Sequence, residues 1–344
     1  MTAYAELCVT TNFTFLHGAS HPEELVTRAA ELGLAAIAIT DRNSVAGVVR
    51  AFSALKELDR LHNEAREAAG ALQDAPDIRS RRTTDHSSRQ ILNPTPLDDG
   101  PRINLDQPLP RLIPGARIAL SDSPVEWLAL PRDVVAWSRL TRLLSLGKRR
   151  AGKGACHLTR KDLVNWGSGM VLVALPPDPM EGSGQANLSV ELRDMRRTFP
   201  GQCFLGAAPI YDGRDQPRLD RLARLSQVSG LPMVAVGDVL MHRSARRPLA
   251  DVLTCLREGC TIDTIGARRL THGEHRLKSG TEMGRMFHRY PAAIRRTLEI
   301  TDQCAFRLDD LRYQYPDEAR EGEPAQNRLD RLAREGLRWR YPDG

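Results

Sequence analysis

The stretch ELCVTTNFTFLHGASHPEELVTRAAELGLAAIAITDRNSV, residues 6–45, decides the fold. Its opening, with AELCVTT, suits a short strand. Ser20 and Glu23 then stand at the S-x-x-E spacing of a capping box, with Pro22 in the first turn. Leu25, Ala29 and Leu32 recur at helical spacing, and Gly33 marks the helix end. AAIAIT (35–40) is an unbroken apolar run, as a strand buried on both faces requires, and it stops at Asp41. A strand that ends on an acid within a strand–helix–strand unit places that acid where β/α folds build their sites.

The same rhythm continues outward. SVAGVVRAFSALKEL (44–58) has a helical pattern. RLIPGARIAL (111–120) and EWLAL (126–130) read as strands, and PRDVVAWSRLTRLLSLGKRR as an amphipathic helix with a basic end that matches its dipole. LTRKDLVNW reads as a short helix, GMVLVAL as a strand and 185–199 as a helix. CFLGAAPI, a helix over 215–229 and PMVAVGDVLM complete the alternation. The expected fold class is α/β, a mostly parallel sheet or barrel whose strand-end loops carry any site. Beyond about 245 the pattern turns helical: 246–258, 279–290 with a Ser279/Glu282 capping box, 291–305, and a basic helix over 324–338. No repeat of 20–50 residues is present.

Residues 62–110 differ in kind. They are rich in Asp, Arg, Ser, Thr and Pro and poor in large apolar side chains, so a mobile insertion is expected there. With 344 residues, 41% hydrophobic and 27% charged, the composition is that of a soluble globular protein. MTAYAELCVT has neither a basic leader nor a long apolar core, and runs such as MVLVAL are far too short to cross a bilayer. A cytoplasmic protein without membrane contact is therefore expected. The six cysteines (8, 156, 203, 255, 260 and 304) form no CxxC pair, so reduced thiols with structural roles are expected. The net charge of +6 is compatible with a nucleic-acid partner without demanding one.

NFTFLHGASHPEELVTRAAELGLAAIAITD resembles the opening of bacterial error-prone C-family DNA polymerases, relatives of the polymerase III alpha subunit. GLPMVAVGDVLMH, RRPLADVLTCLREG, LDDLRYQYPDE and RLAREGLRWRYPDG resemble later landmarks of that family, in order. The resemblance implies a PHP-type distorted β/α barrel over 1–61 and 111–243, interrupted by the 62–110 insertion. It implies that 244–344 form a smaller helical link toward a polymerase core whose palm lies beyond this chain. Expected partners are that core, other replication or repair subunits, and DNA.

PHP domains hold divalent metals for phosphoester hydrolysis when their ligands are intact, and such a centre needs several His and carboxylate groups. The resemblance puts Cys8 and Thr10 at the positions of an HxH motif, Asp41-Arg42 at Asp-His, Arg117 at a glutamate, and Asp238-Val239-Leu240 at Asp-x-His. His242 is displaced from that last position by two residues. Cys8, Asp41, Asp238 and His242 are the remnant donors, and a Mn, Zn or Mg ion is expected only if that remnant still binds one. The expectation is a degenerate site in a scaffold, its two acids paired with Arg42 and Arg117 or capping turns. The alternative is a stand-alone metallohydrolase of phosphoesterase or 3′–5′ exonuclease type. Separately, Lys148, Arg149, Arg150 and Lys153 cluster around flexible glycines and are candidates for a phosphate-backbone contact. His17 and His21 read as polar residues at a helix entry.

Overall fold

The computed structural model describes residues 2–73, 103–177, 183–270, 272–312 and 323–342. Two compact units result, Met1–Leu308 and Asp309–Gly344.

The first unit begins with β1 (Ala5–Val9), α1 (Pro22–Glu31), β2 (Ala36–Ile39) and α2 (Ala46–Gln73), followed by β3 (Arg111–Pro114) and β4 (Ala116–Ile118). Next come β5 (Glu126–Pro131), α3 (Val134–Arg150), α4 (Arg160–Trp166), β6 (Met170–Leu175), α5 (Ser183–Thr198), β7 (Cys203–Ala207), α6 (Asp215–Ser229) and β8 (Met233–Ala235). The helices α7 (Arg247–Glu258), α8 (Gly280–Met286) and α9 (Pro291–Gln303) close the unit. Two sheets carry the strands: a parallel β1-β2-β3 sheet, and a five-stranded sheet in the order β4-β5-β6-β7-β8 with β5 antiparallel to both neighbours. Short bridges join the sheets into a ring. Thr10 N–H donates to Val239 O and Val239 N–H to Cys8 O, both at 2.9 Å, while Arg117 N–H donates to Asp41 O at 3.0 Å. The α/β barrel is thus closed, but distorted at both seams.

Side-chain alternation fills it. Ala36, Ala38, Val171, Val173, Leu128 and Leu130 point inward, whereas Ile37, Ile39, Leu172 and Ala174 pack under the surrounding helices. Both faces of β2 are buried, as its unbroken apolar run requires. Helix α9 and the residues after it cover the end where the strands begin. Ala5 N–H donates to Thr297 Oγ1 at 3.2 Å, Arg111 Nη2 to Thr301 O at 2.6 Å, and Ile300 and Cys304 join the interior cluster. The opposite end, where β1, β2 and β8 finish, stays open for polar groups.

Several elements differ from the pattern reading. The cap of α1 is His21, not Ser20: Glu24 Oε2 accepts the His21 N–H at 2.9 Å, and Glu23 pairs with Arg50 instead. The Ser20 hydroxyl is taken by His242, which explains the one-residue shift. Helix α2 runs to Gln73, so residues 62–73 continue a helix and His62 is buried. Ile103 is buried too, and the remaining insertion residues 74–102 lie outside the described residues. The stretch read as one strand over 111–120 is divided at Gly115 between the two sheets. The Ser279/Glu282 capping box forms as expected. All six cysteines are free thiols.

The second unit holds α10 (Ala325–Arg340), bound along its surface by ion pairs of Arg331 with Glu323 and Glu335 and of Arg334 with Asp330. Among the described residues no helix is long and apolar enough to cross a membrane.

A Cβ at Gly115 would lie 2.6 Å from Leu130 Cδ2 and 3.0 Å from the Ala129 carbonyl oxygen, so only glycine allows the chain to step between sheets there. Gly115→Ala is expected to cost about 1–3 kcal/mol of stability, measured by urea denaturation; an unchanged midpoint would contradict this packing.

Candidate functional site

The open end of the barrel collects the residues singled out by sequence, and builds them into ion pairs. Arg117 on β4 is the centre. Its Nη1 donates to Asp238 Oδ1 at 2.6 Å and its Nε to Glu126 Oε2 at 2.5 Å. Glu126, at the start of β5, also accepts from Arg42 Nε at 2.9 Å through its other oxygen. Cys8 Sγ donates to Asp238 Oδ1 at 3.5 Å. A chain of groups Arg42–Glu126–Arg117–Asp238–Cys8 therefore spans the mouth, crossing from β2 through β5 and β4 to the loop after β8.

The electrostatics follow from that order. Burial works against the Arg117 charge, but Asp238, Cys8 and Glu126 more than offset it and hold its pKa above the ordinary value. Burial likewise favours neutral Asp238, yet the Arg117 guanidinium outweighs it and keeps this carboxyl below the usual carboxylate range. Burial first, and Asp238 second, push the Cys8 thiol well up, in keeping with the thiol that donates to Asp238. Asp238 has φ +46°, a left-handed backbone that aspartate tolerates better than most residues and that turns its carboxylate toward Arg117.

Asp41 stands apart from the ion pairs. Fully buried, it accepts from Thr11 N–H at 2.8 Å, from the Thr11 hydroxyl, and from the Thr14 hydroxyl at 2.8 Å. Burial raises its pKa against these hydrogen bonds. A Cβ at Gly47 would lie 2.4 Å from Asp41 Oδ2, so α2 can start here only with glycine in its first turn. The acid thus ties the β1 loop to the α2 entry. His242 is brought to neither acid: its Nδ1 lies 2.8 Å from Ser20 Oγ and 3.9 Å from Glu24 Oε2, beside α1. His17 lies against Arg257, and His21 against Asn12.

Two acids were missed by sequence reasoning. Glu126 sits at a strand start that reads as ordinary polar termination. Glu6 had a visible signal, an acid inside an otherwise apolar buried strand. Its carboxylate accepts from the Tyr4 hydroxyl at 2.8 Å and from Cys8 N–H and Gly237 N–H at 3.0 Å. Burial pushes Glu6 up to about 7, with the hydrogen bonds opposing it.

The donor set at the mouth does not fit a catalytic metal cluster. The central place belongs to a guanidinium, which donates and never ligates. Among the described residues no group of three or more His, Cys, Asp and Glu side chains is arranged to hold a metal ion. The basic cluster lies elsewhere, at the end of α3. Arg150 pairs with Asp162 at 2.6 Å, whereas Lys148, Arg149 and Lys153 are exposed, with no ion pair to another described residue.

Against this geometry stand the relatives. The PHP domain family model matches residues 6–71. An error-prone DNA polymerase from Ruegeria pomeroyi is 57% identical over 344 residues, covering 99% of this chain and 29% of its own. One from Caulobacter vibrioides is 40% identical, covering 99% of this chain and 27% of its own. The chain matches the PHP-domain region of error-prone DNA polymerases. It spans under a third of the length of these relatives and matches their N-terminal part. An amidohydrolase structure from Chromobacterium violaceum aligns at 15% identity and a TM-score of 0.39, covering 69% of this chain and 88% of that one.

Two outcomes are expected. Arg117→Met leaves Asp238 and Glu126 without their shared cation and should cost about 2–4 kcal/mol in chemical denaturation; a loss under about 0.5 kcal/mol would remove Arg117 from its central place. The Glu6 carboxyl is raised from 4.5 to about 7 in the folded state. The native form therefore holds a proton that the unfolded chain has lost across that window. Stability should fall as pH rises through it, by up to about 1.4 kcal/mol per pH unit. Glu6→Gln should abolish that slope, and an identical slope in the variant would assign the proton to another group.

Proposed function

We propose that this PHP-domain region acts as a scaffold for an error-prone DNA polymerase, with ion pairs at the barrel mouth in place of a hydrolytic metal centre. The observation that carries the reading is the Arg117 guanidinium between Glu126 and Asp238. A fixed cation there neutralises the acids that a divalent ion would otherwise bridge, and it gives no Lewis acid and no activated water. The barrel then keeps its shape without a metal cofactor. The activity it serves is templated DNA synthesis by the rest of the polymerase in the course of repair or damaged-strand replication. Its partners are that core, other replication or repair subunits and DNA, in the cytoplasm. The exposed Lys148, Arg149 and Lys153 support a contact with the DNA backbone, whose strength would fall steeply with salt.

Elemental analysis of the purified chain, with melting curves in EDTA and in added Mn²⁺ or Zn²⁺, tests the reading. Metal well below one equivalent and melting insensitive to either addition are expected. Stoichiometric Mn, Zn or Fe, with phosphodiester hydrolysis abolished by Asp41→Ala, would replace the scaffold with a metallohydrolase.

A further inference from the structure

Helix α7 ends in a turn whose geometry joins two cysteines. Gly259, with φ +62°, takes the left-handed position after the last helical residue, and its N–H donates to Cys255 O. Cys260 N–H also donates to Cys255 O, at 3.0 Å. Such a glycine-ended helix turn folds the residue after the glycine back onto the one five positions earlier, and their side chains normally make an apolar contact. Here both positions are cysteine. Cys255 is buried and Cys260 partly exposed, so an oxidant from solvent meets Cys260 first. The two thiols interact: after burial, the Cys260 side chain is the largest influence raising the Cys255 pKa, while Arg268 opposes it. The turn also has a position of consequence. Arg257 in the last turn of α7 donates to Leu16 O at 2.9 Å and lies 3.3 Å from His17 Nδ1, on the loop whose Thr14 holds Asp41.

We infer that Cys255 and Cys260 form a redox-active dithiol that closes to an intramolecular disulfide across the α7 C-terminal turn. The oxidant class is a low-molecular-weight disulfide. The Cys260 thiolate attacks one oxidant sulfur, forming a mixed disulfide and expelling one thiolate. Cys255 then gives its proton to water and attacks the Cys260 sulfur, expelling the second thiolate. Two protein thiols are oxidised and one external disulfide is reduced to two thiols. Under reducing conditions the pair stays open.

The full chain treated with oxidised glutathione, quenched with acid and alkylated under denaturing conditions, gives the test by mass spectrometry. Arg257 lies between the two cysteines, so non-reducing tryptic peptides report the cross-link directly. The expected result is a Cys255–Cys260 cross-link with the other cysteines still alkylated. Gly259→Ala should slow closure about tenfold, because the left-handed turn disfavours a Cβ. Gly259→Asn, which tolerates that conformation, should close at close to the parental rate and guards against a folding defect. A lasting glutathione adduct on Cys260 with Cys255 still alkylated would overturn the inference, as would linkage to any other cysteine or equal closure rates in all three proteins.

Discussion

The structure depends on one guanidinium at the seam of two sheets. Arg117 sits on β4, where the five-stranded sheet meets the residues beyond β2, and its backbone N–H makes the seam hydrogen bond to Asp41 O. Its side chain then reaches Glu126 on β5 and Asp238 beyond β8. One residue therefore closes one of the two seams through its backbone and neutralises the barrel mouth through its side chain. In a partly buried site such a pair is costly to break from one side, because the abandoned acid keeps its desolvation cost. The same acids without Arg117 would repel one another across the mouth.

The two ends of the barrel are stabilised by different physics. At the closed end, α9 supplies apolar cover and accepts hydrogen bonds at Thr297 Oγ1 from Ala5 N–H and at Thr301 O from Arg111. At the open end, acids are distributed among distinct partners: Asp238 with a cation, Asp41 with hydroxyls and a backbone N–H, and Glu6 with a phenol and two backbone N–H groups. Their protonation follows from those partners. Charge pairing holds Asp238 ionised, whereas burial without an adjacent ion pair raises Asp41 and Glu6. A metal cluster would require these acids to converge, and each is instead committed to its own loop.

Much of this was legible in the sequence. Apolar period and capping residues place β2, α3, β6 and the Ser279 cap, because those signals are local. The departures of Thr10, Arg42 and Arg117 from ligand chemistry were equally readable, since a residue type limits what it can coordinate. Other features depend on partners far along the chain. Ser20 looks like a cap by spacing, but His242, more than two hundred residues away, takes its hydroxyl. Glu126 gains meaning only when β5 registers against β4 and brings it between two arginines. Gly115 reads as part of one continuous strand, because nothing local shows that the residues on either side of it join different sheets.

The most direct measurement is a double-mutant cycle on Arg117 and Asp238, from the urea unfolding of Arg117→Met, Asp238→Asn and the combined variant. A coupling of about 1 kcal/mol or more is expected for a partly buried, hydrogen-bonded ion pair that holds the mouth together. Additivity within about 0.3 kcal/mol would show that the two side chains act independently, and would contradict an arginine-centred barrel mouth.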